Sequence, residues 1–257
     1  MSVSISLIIT TYNWPDALRA CLESVASQSV MPDYVIVADD GSHPATSNVI
    51  GELKSRIPLI HCWVPDVANR PAVIRNRAAL KAKSQWLVFV DGDCVLSPNF
   101  LAWHQKLAGI NTIVAGGRLL LDADETRAYL KDRLFPERAI KNFKFRELNV
   151  GSLRDVFNNS IATVRTCNMG VGYDEFIRCG GFDEAYVGWA REDTDFVLRA
   201  ARRGLKIRNG RCGCNMFHLY HGGDKGRVSP NDDRLAGLVA DVKRFDPIKS
   251  VFYGCGY

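Results

Sequence analysis

The chain has 257 residues, 47% hydrophobic and 24% charged, which is typical of a soluble globular protein with one large domain or two small ones. Its net charge of +5, from 33 basic and 28 acidic residues, fits a small anionic ligand or an anionic membrane surface. That excess is too small to indicate a nucleic-acid-binding protein, and no helix-turn-helix, RNP or zinc-finger pattern accompanies it.

The first 90 residues alternate between short apolar segments and segments that begin at a proline. The apolar segments predict strands at Ile5–Thr10, Tyr34–Ala38, Leu59–Val64 and Trp86–Val90. The segments between them predict helices over Pro15–Ser27, Pro44–Arg56 and Pro71–Lys83. Because the strands are nearly continuous in Val, Ile and Leu, they indicate an α/β fold with a mostly parallel sheet covered on both faces.

Polar residues follow three of these strands, as Thr10-Thr11-Tyr12-Asn13, Asp39-Asp40-Gly41-Ser42 and Asp91-Gly92-Asp93. Parallel sheets bind ligands at the carboxyl ends of their strands, so these clusters should share one crevice. Asp91 and Asp93 are two residues apart in extended backbone and therefore point to the same side. Two such carboxylates suit Mg²⁺ or Mn²⁺, and a solvated loop with a capping aspartate is the alternative.

The second half of the chain is less regular. Residues 113–121 predict a strand with a bulge at its two glycines, and residues 122–160 form a charged, helix-leaning insertion. An apolar segment follows over residues 164–171, and a helix is predicted over Thr194–Arg203, ending at Gly204. The eight cysteines are scattered, and no basic leader or long uncharged apolar stretch is present. We therefore expect reduced thiols and a cytoplasmic protein.

Eight short motifs together resemble one enzyme family. TTYN, VADDGS, RNRAAL and FVDGDC resemble the nucleotide-sugar half of glycosyltransferase family 2. CNMGV, GGFDE, GWAREDTDF and HLYHGGDKG follow in the order seen in that family and in the C-terminal region of β-1,4-galactosyltransferases. The resemblance covers residues 3–225 and implies a single GT-A-like catalytic domain. Its nucleotide-sugar-binding half would be 1–115, its acceptor half 116–225 and its tail 226–257.

The resemblance assigns five residues to the nucleotide, of which Asp91 is shared with the metal site. Asp40 would accept a hydrogen bond from the uracil imide, which thymine shares, so a dTDP-sugar stays open. Thr10 and Tyr12 would line the base, with the Tyr12 ring able to stack on it. Arg75 would lie near the diphosphate, where a guanidinium suits phosphate oxygens.

The resemblance also assigns a metal site. Asp93 would bind the metal directly, and Asp91 would bind the ribose or complete the metal shell through water. His221 would supply a further ligand, and His218 would either bind as well or line the site. Imidazole with carboxylate favours Mn²⁺ over Mg²⁺. A rival interpretation is structural zinc, because Cys212, Cys214 and the two histidines fall within ten residues.

On the acceptor side, the resemblance makes Asp193 the general base that deprotonates the accepting hydroxyl. Glu192 would orient the acceptor, and Trp189 would present a flat face to a sugar ring. Asn168 and Gly170 would line the floor beneath the donor sugar.

Taken together, these residues predict a metal-dependent, inverting transfer of a hexose or N-acetylhexosamine from a UDP-sugar to a glycan hydroxyl. The acceptor is expected to be a surface-polysaccharide or lipopolysaccharide precursor that can be lipid-linked, with the enzyme peripheral at the inner face of the membrane. A sugar-1-phosphate nucleotidylyltransferase is an alternative, although the segment after the first strand lacks the glycine-rich loop it needs. A non-catalytic carbohydrate-binding protein on the same fold is another.

Overall fold

The structure, a computed structural model, describes residues 2–148, 160–188, 191–222, 229 and 231–245. The strands in these ranges are β1 Ile5–Thr11, β2 Tyr34–Asp39, β3 Leu59–Trp63, β4 Trp86–Asp91, β5 Cys94–Leu96, β6 Thr112–Ala115, β7 Gly117–Leu120, β8 Asn168–Gly172, β9 Lys206–Asn209 and β10 Asn215–His218. The α-helices are α1 Pro15–Ala26, α2 Pro44–Leu53, α3 Pro71–Ala79, α4 Phe100–Leu107, α5 Ala123–Asp132, α6 Glu137–Leu148, α7 Tyr173–Arg178, α8 Glu192–Arg202 and α9 Asp232–Phe245. Within the described ranges, no helix has the length and apolar character needed to span a bilayer.

A seven-stranded sheet in the order β3-β2-β1-β4-β8-β6-β9 forms the centre of the fold. The strands β1 to β4 pair in parallel, β8 is antiparallel to both of its neighbours, and β9 is parallel to β6. The predicted α/β fold with a mostly parallel sheet is therefore confirmed. The first four strands and three helices lie where the sequence predicted them, with ends that differ by a few residues.

Two apolar layers cover the faces of this sheet. Alternate strand residues point to opposite faces, so Ile8 and Phe89 pack in one layer and Leu7 and Val88 in the other. The helices α3 and α8 supply the first layer, and α1, α2 and α4 supply the second. Burying a side chain of this size contributes roughly 1.5–3 kcal/mol, so the two layers hold the strand ends in fixed positions.

The prediction of one bulged strand over residues 113–121 is wrong. The chain instead leaves the large sheet after β6 and enters a second, three-stranded sheet of order β5-β10-β7. A Cβ atom on Gly116 would lie 2.0 Å from Oδ1 of Asn168, and one on Gly117 would lie 2.4 Å from Oδ1 of Asn215. The two glycines are needed because buried asparagine side chains lie against the crossing between the sheets.

The helix-leaning character predicted for residues 122–160 is confirmed by α5 and α6 as far as residue 148, and residues 149–159 lie outside the described ranges. The helix α5 begins with a capping box between Asp122 and Glu125. Around it, Tyr129 stacks on Phe135, and Phe135 stacks on Phe217 of β10. This aromatic cluster covers the small sheet and so fixes the strand that carries His218. The helix α9 lies in the segment predicted as a tail.

Candidate active site

The polar residues at the ends of β1, β2 and β4 lie side by side, as predicted. In the sheet register, Thr10 is opposite Asp91 and Thr11 is opposite Asp39. Asp39 holds its own loop, because its Oδ1 accepts a hydrogen bond from the Ser42 backbone N–H at 2.9 Å. The three clusters therefore line one edge of the sheet, and the aspartates that remain for a ligand are Asp40, Asp91 and Asp93.

Asp40 is a buried carboxylate with one oxygen left for a ligand. Its Oδ2 accepts a hydrogen bond from the Arg70 backbone N–H at 2.8 Å, whereas Oδ1 has no hydrogen-bond partner. Burial raises the pKa of this carboxyl above its ordinary value. Because an unpaired buried acceptor is costly, a ligand N–H at Oδ1 would be bound favourably. This is the property expected of a residue that reads a uracil or thymine imide.

Tyr12 presents an exposed ring next to this carboxylate. Its side chain is 53% exposed, and its hydroxyl donates to Oδ2 of Asp66 at 2.9 Å. Sequence reasoning missed Asp66, whose one available signal was its position just after β3 at the same sheet edge. A Cβ atom on Gly41, which has φ of +93°, would lie 2.5 Å from the Asp66 backbone. The glycine thus lets two loops meet and orient the ring.

Arg75 is a buried hub rather than an exposed phosphate ligand. Its guanidinium donates to Asp91 at 3.0 Å, to Glu192 at 2.7 Å and to the Thr10 hydroxyl at 2.9 Å. Burial alone lowers the pKa of Arg75, and the Asp91 and Glu192 carboxylates more than offset this and raise it. The predicted contacts of Arg75 with a diphosphate and of Thr10 with a base remain predictions, since both groups are engaged with each other here.

Two histidines converge on Asp93. Nε2 of His218 lies 3.6 Å from its Oδ1, and Nε2 of His221 lies 3.4 Å from its Oδ2. Nδ1 of His218 donates a hydrogen bond to the Leu219 carbonyl at 3.0 Å, so Nε2 is the ring nitrogen that faces Asp93. Burial raises the pKa of the Asp93 carboxyl above its ordinary value, and the Asp91 charge adds to this.

This donor set fits a divalent cation. The Asp93 side chain is 13% exposed, and partial burial makes its carboxylate harder to ionise, so it gains from a nearby positive charge; each of its oxygens already faces an imidazole nitrogen. The backbone carbonyl that orients His218 is the kind of outer partner that metal-binding histidines use. The Cys94 thiol also lies close to the potential ligand atoms of Asp93 and His218, all within 4.8 Å of one another. Burial raises the pKa of this thiol well above its ordinary value, so it is hard to ionise. The carboxylate and imidazoles are therefore the better ligands for Mn²⁺ or Mg²⁺.

The zinc interpretation is not supported. All four of its residues are described, and the donor atoms that gather within 4.8 Å in the described ranges belong to Asp93, Cys94 and His218. Cys214 is fully buried in the apolar layer with Val114 and Met216, because it immediately precedes β10 and points into the core. The spacing alone suggested a cluster that the strand geometry does not form.

The first turn of α8 reaches the same edge of the sheet. Glu192 is buried against Arg75, and burial raises the pKa of its carboxyl against the opposing effect of the guanidinium. Asp193 is half-buried, and its Oδ1 accepts hydrogen bonds from the Thr194 backbone N–H and hydroxyl at 2.7 and 3.2 Å. Through Arg75, Glu192 thus ties the start of α8 to Asp91 at the end of β4, and Asp193 is the next residue of that helix. Trp189 lies outside the described residues.

Asn168 bridges the two sheets and Gly170 packs within the large one, and the predicted contact of Asn168 with a donor sugar remains a prediction. The amide of Asn168 donates to the Gly117 and Cys214 carbonyls, both at 2.9 Å, and its Oδ1 accepts from Nε2 of His104 at 3.1 Å. A Cβ atom on Gly170 would lie 2.7 Å from both Trp86 and His104. Gly170 is opposite Val88, in the middle of the sheet, so the structure does not bring it to the strand ends.

Two family profiles match this chain. The profile described as Glycosyl transferase family 2 matches residues 6–167, which is more than half of the chain. The profile described as N-terminal domain of galactosyltransferase matches residues 152–222, the part that contains the candidate base and histidines. The two matches agree with the division of motifs seen in the sequence.

Several relatives have named activities. The UDP-Glc:alpha-D-GlcNAc-diphosphoundecaprenol beta-1,3-glucosyltransferase of Escherichia coli is 33% identical over 230 residues, covering 88% of this chain and 80% of that protein. Validoxylamine A glucosyltransferase of Streptomyces hygroscopicus subsp. limoneus is 25% identical, covering 79% of this chain and 49% of that protein. Chondroitin synthase of Escherichia coli is 24% identical, covering 97% and 39%. The chain therefore spans half or less of the length of the last two.

Solved structures share the fold. TarS of S. aureus in complex with UDP-GlcNAc superposes with a TM-score of 0.64 at 18% identity, covering 93% of this chain and 66% of that one. The mannosyltransferase of Pyrobaculum calidifontis in complex with GDP-Man and Mn²⁺ gives a TM-score of 0.64 at 16% identity, covering 96% and 66%. At these identities the likeness concerns the GT-A fold alone. The profile match, together with the relative at 33% identity, shows that this chain belongs to glycosyltransferase family 2.

Proposed function

We propose that this protein transfers a hexose or N-acetylhexosamine from a UDP-sugar to a hydroxyl of a glycan acceptor, with inversion at the anomeric carbon. One observation carries the proposal. The Arg75 guanidinium joins Asp91 to Glu192, so the first turn of α8 is held against the strand end where Asp93 and the two histidines meet. This link supports a site in which the candidate base and the candidate metal ligands face one crevice. The proposed division is a donor half over 1–115 and an acceptor half over 116–225.

The donor end of the proposal rests on Asp40. Its unpartnered Oδ1 suits the imide N–H of uracil or thymine, and the exposed Tyr12 ring offers a stacking surface beside it. The S. aureus relative was solved with UDP-GlcNAc, which supports a uridine donor here. Asp40 and Tyr12 contact the base in this proposal, so the identity of the sugar depends on other residues.

Asp93, His218 and His221 would hold Mn²⁺, with Asp91 completing the shell or binding the ribose. When bound, the cation would supply positive charge that stabilises the departing nucleoside diphosphate. The Mn²⁺ in the Pyrobaculum calidifontis structure supports this choice. The remaining chemistry belongs to the protein's own residues.

Asp193 would act as the general base. Its carboxylate takes the proton of the acceptor hydroxyl while that oxygen bonds to the anomeric carbon and the bond from this carbon to the phosphate oxygen breaks. UDP leaves with the electron pair of that bond. A base on the side opposite the leaving group gives a single displacement, and therefore inversion, by the logic that governs inverting glycosidases. Glu192 would position α8 through its ion pair with Arg75.

The acceptor is proposed to be a precursor of a surface polysaccharide or lipopolysaccharide, attached to a lipid. The named activity of the 33%-identical Escherichia coli relative, which acts on a sugar joined to diphosphoundecaprenol, supports this choice. A lipid-linked acceptor would place the enzyme at the cytoplasmic face of a membrane as a peripheral protein. The net charge of +5 agrees with an anionic surface.

UDP release from a panel of UDP-sugars tests the proposal. We expect release in Mn²⁺ and its loss in EDTA. Asp93→Asn should weaken UDP binding in Mn²⁺ by about a hundredfold, yet bind UDP as the wild type does in EDTA. The exposed Asp124→Asn is the matched control. UDP affinity that is the same with and without metal in the wild type would contradict the ligand set. Pyrophosphate release from UTP and a sugar 1-phosphate would instead indicate a nucleotidylyltransferase.

A further inference from the structure

A cavity of about 440 Å³ adjoins the candidate active site on the side away from Asp40. It lies where β6 and β9 end and where the antiparallel β8 begins, so it shares the edge of the sheet that carries the site. One of its lining residues, Cys167, immediately precedes Asn168, which pairs with Val90. The cavity therefore begins one strand away from Asp91.

Three arginines from three different segments line this cavity. Arg118 lies on β7, Arg165 precedes β8, and Arg211 follows β9. The remaining lining residues include no aspartate and no glutamate. Among the described residues, the lining thus brings together arginines from separate parts of the chain and contains no carboxylate of its own.

Two of these guanidinium groups differ from the one on Arg75. Among the described residues, no carboxylate lies within ion-pairing distance of Arg165 or Arg211. Nη1 of Arg165 donates to the Ala162 and Val164 carbonyls at 2.9 and 2.7 Å, which fixes the head group while neither bond uses Nη2 or Nε. A fixed guanidinium with N–H groups to spare favours a carboxylate or phosphate, to which it can donate two parallel hydrogen bonds.

We propose that this cavity binds an anionic group of the acceptor, a phosphate or carboxylate close to the sugar that carries the accepting hydroxyl. The inference rests on the proposed glycosyl transfer and names the chemistry of its acceptor. The donor's own diphosphate is assigned to the other side of β4, where Asp91 and Asp93 lie and Asp40 reads the base. The position of the cavity, beyond β4 and toward β9, therefore suits the second substrate.

The test compares the wild type with the double variant Arg165→Gln/Arg211→Gln. The matched control is Lys54→Gln/Arg56→Gln, which removes two exposed positive charges after α2. The acceptor probes carry one terminal sugar, α-linked N-acetylglucosamine, on an alkyl diphosphate, on an alkyl phosphate, beside a uronate, or on a neutral alkyl chain. The readouts are kcat/KM for each probe and acceptor-free UDP release.

We expect the double variant to lose about tenfold in kcat/KM per arginine, roughly a hundredfold in all, for the probe whose anion fills the cavity. Ranking the diphosphate, phosphate and uronate probes identifies which anion that is. Transfer to the neutral probe, acceptor-free UDP release and the control variant should stay close to wild type. An equal loss for charged and neutral probes, or no loss for any, would overturn the proposal.

Failure of the proposed function is separable from failure of this inference. If the wild type released no UDP from any donor, the glycosyl transfer itself would be refuted. Titration of the alkyl diphosphate probe into the wild type and the double variant would still decide the cavity's role. The same titration with the phosphate and uronate probes completes the set: tighter binding of any of the three by the wild type supports an anion site, and equal affinity for all three refutes it.

Discussion

The arginines on the two sides of the sheet edge differ in whether a carboxylate neutralises them. On the side of β1, β2 and β4, Arg75 is buried and already neutralised by Asp91 and Glu192. On the side of β8, β6 and β9, Arg165 and Arg211 are exposed, and the described residues supply no carboxylate to either. A charged side chain that is neutralised inside the protein holds neighbouring elements in place. A charged side chain without a counter-charge in the protein is available to bind a ligand.

This contrast assigns different consequences to similar substitutions. Loss of a buried, paired charge leaves its partners uncompensated and should cost stability. Loss of an exposed charge leaves the fold intact and should cost binding. Asp193 lies between these cases, since it is half-buried at the first turn of the helix that Glu192 ties to β4.

The largest effect is expected at Asp193. Asp193→Asn should reduce transfer by about a thousandfold, because the amide cannot take the acceptor proton in the transition state. UDP affinity in Mn²⁺ and the denaturation midpoint should stay near the wild-type values. The measurements are steady-state transfer, UDP titration and urea unfolding.

Asp174→Asn is the matched control, because Asp174 is an exposed aspartate in the first turn of another helix, α7. It should transfer sugar at the wild-type rate. If Asp193→Asn transferred sugar at a near-normal rate, Asp193 would not be the general base, and α8 would have a positioning role alone.

A large loss of stability is expected at Arg75. Arg75→Met should lower the free energy of unfolding by about 3 kcal/mol, since the buried Glu192 carboxylate loses its partner. Adding Glu192→Gln should recover part of this loss, because the second change removes the uncompensated charge. Urea unfolding of the two single variants and the double variant measures the coupling.

The exposed pair between Arg127 and Asp124 provides the control for Arg75. Arg127→Met should leave the unfolding midpoint nearly unchanged, because solvent screens that pair. If Arg75→Met were as mild as Arg127→Met, the distinction between the two sides of the sheet edge would fail.

The parts of the fold that follow from local pattern were predictable from the sequence. Apolar strands, prolines at helix starts and polar clusters at strand ends specified the donor half, and they brought Asp40 and Asp91 to one edge. These features depend on periodicity and on the rule that parallel strands present their carboxyl ends together. The placement of His218 and His221 beside Asp93 was instead an implication of the family resemblance.

Features that depend on contacts between residues far apart in the sequence were not predictable. The crossing between the two sheets needs glycine at position 116 because the buried Asn168 side chain occupies the space beside it. The carboxylates that pair with Arg75 are 16 and 117 residues away in the chain. The sequence around Arg75 therefore looks the same whether the arginine is exposed on a helix or buried between two carboxylates. Asn168 carried a site motif, yet its amide is committed to backbone carbonyls.

The smallest effect is expected at His104, a buried residue of α4 that is hydrogen-bonded to Asn168 at the start of β8. Burial lowers the pKa of His104 to about 4, against the raising effect of its hydrogen bond to Asn168. The unfolded chain therefore binds a proton below pH 6.5 that the folded protein binds only near pH 4. Stability should be fully present above pH 6.5 and fall as the pH drops, by about 2 kcal/mol at pH 5.

The variant His104→Gln isolates this effect from the titration of carboxylates. Its Nε2 can donate to Asn168 as the imidazole does, but it does not ionise. The difference in unfolding free energy between wild type and variant, measured by urea at pH 7.5, 6, 5 and 4.5, should change in favour of the variant as the pH falls. A constant difference across these values would mean that His104 accepts its proton in the folded protein, and that the packing around Asn168 is looser than the structure shows.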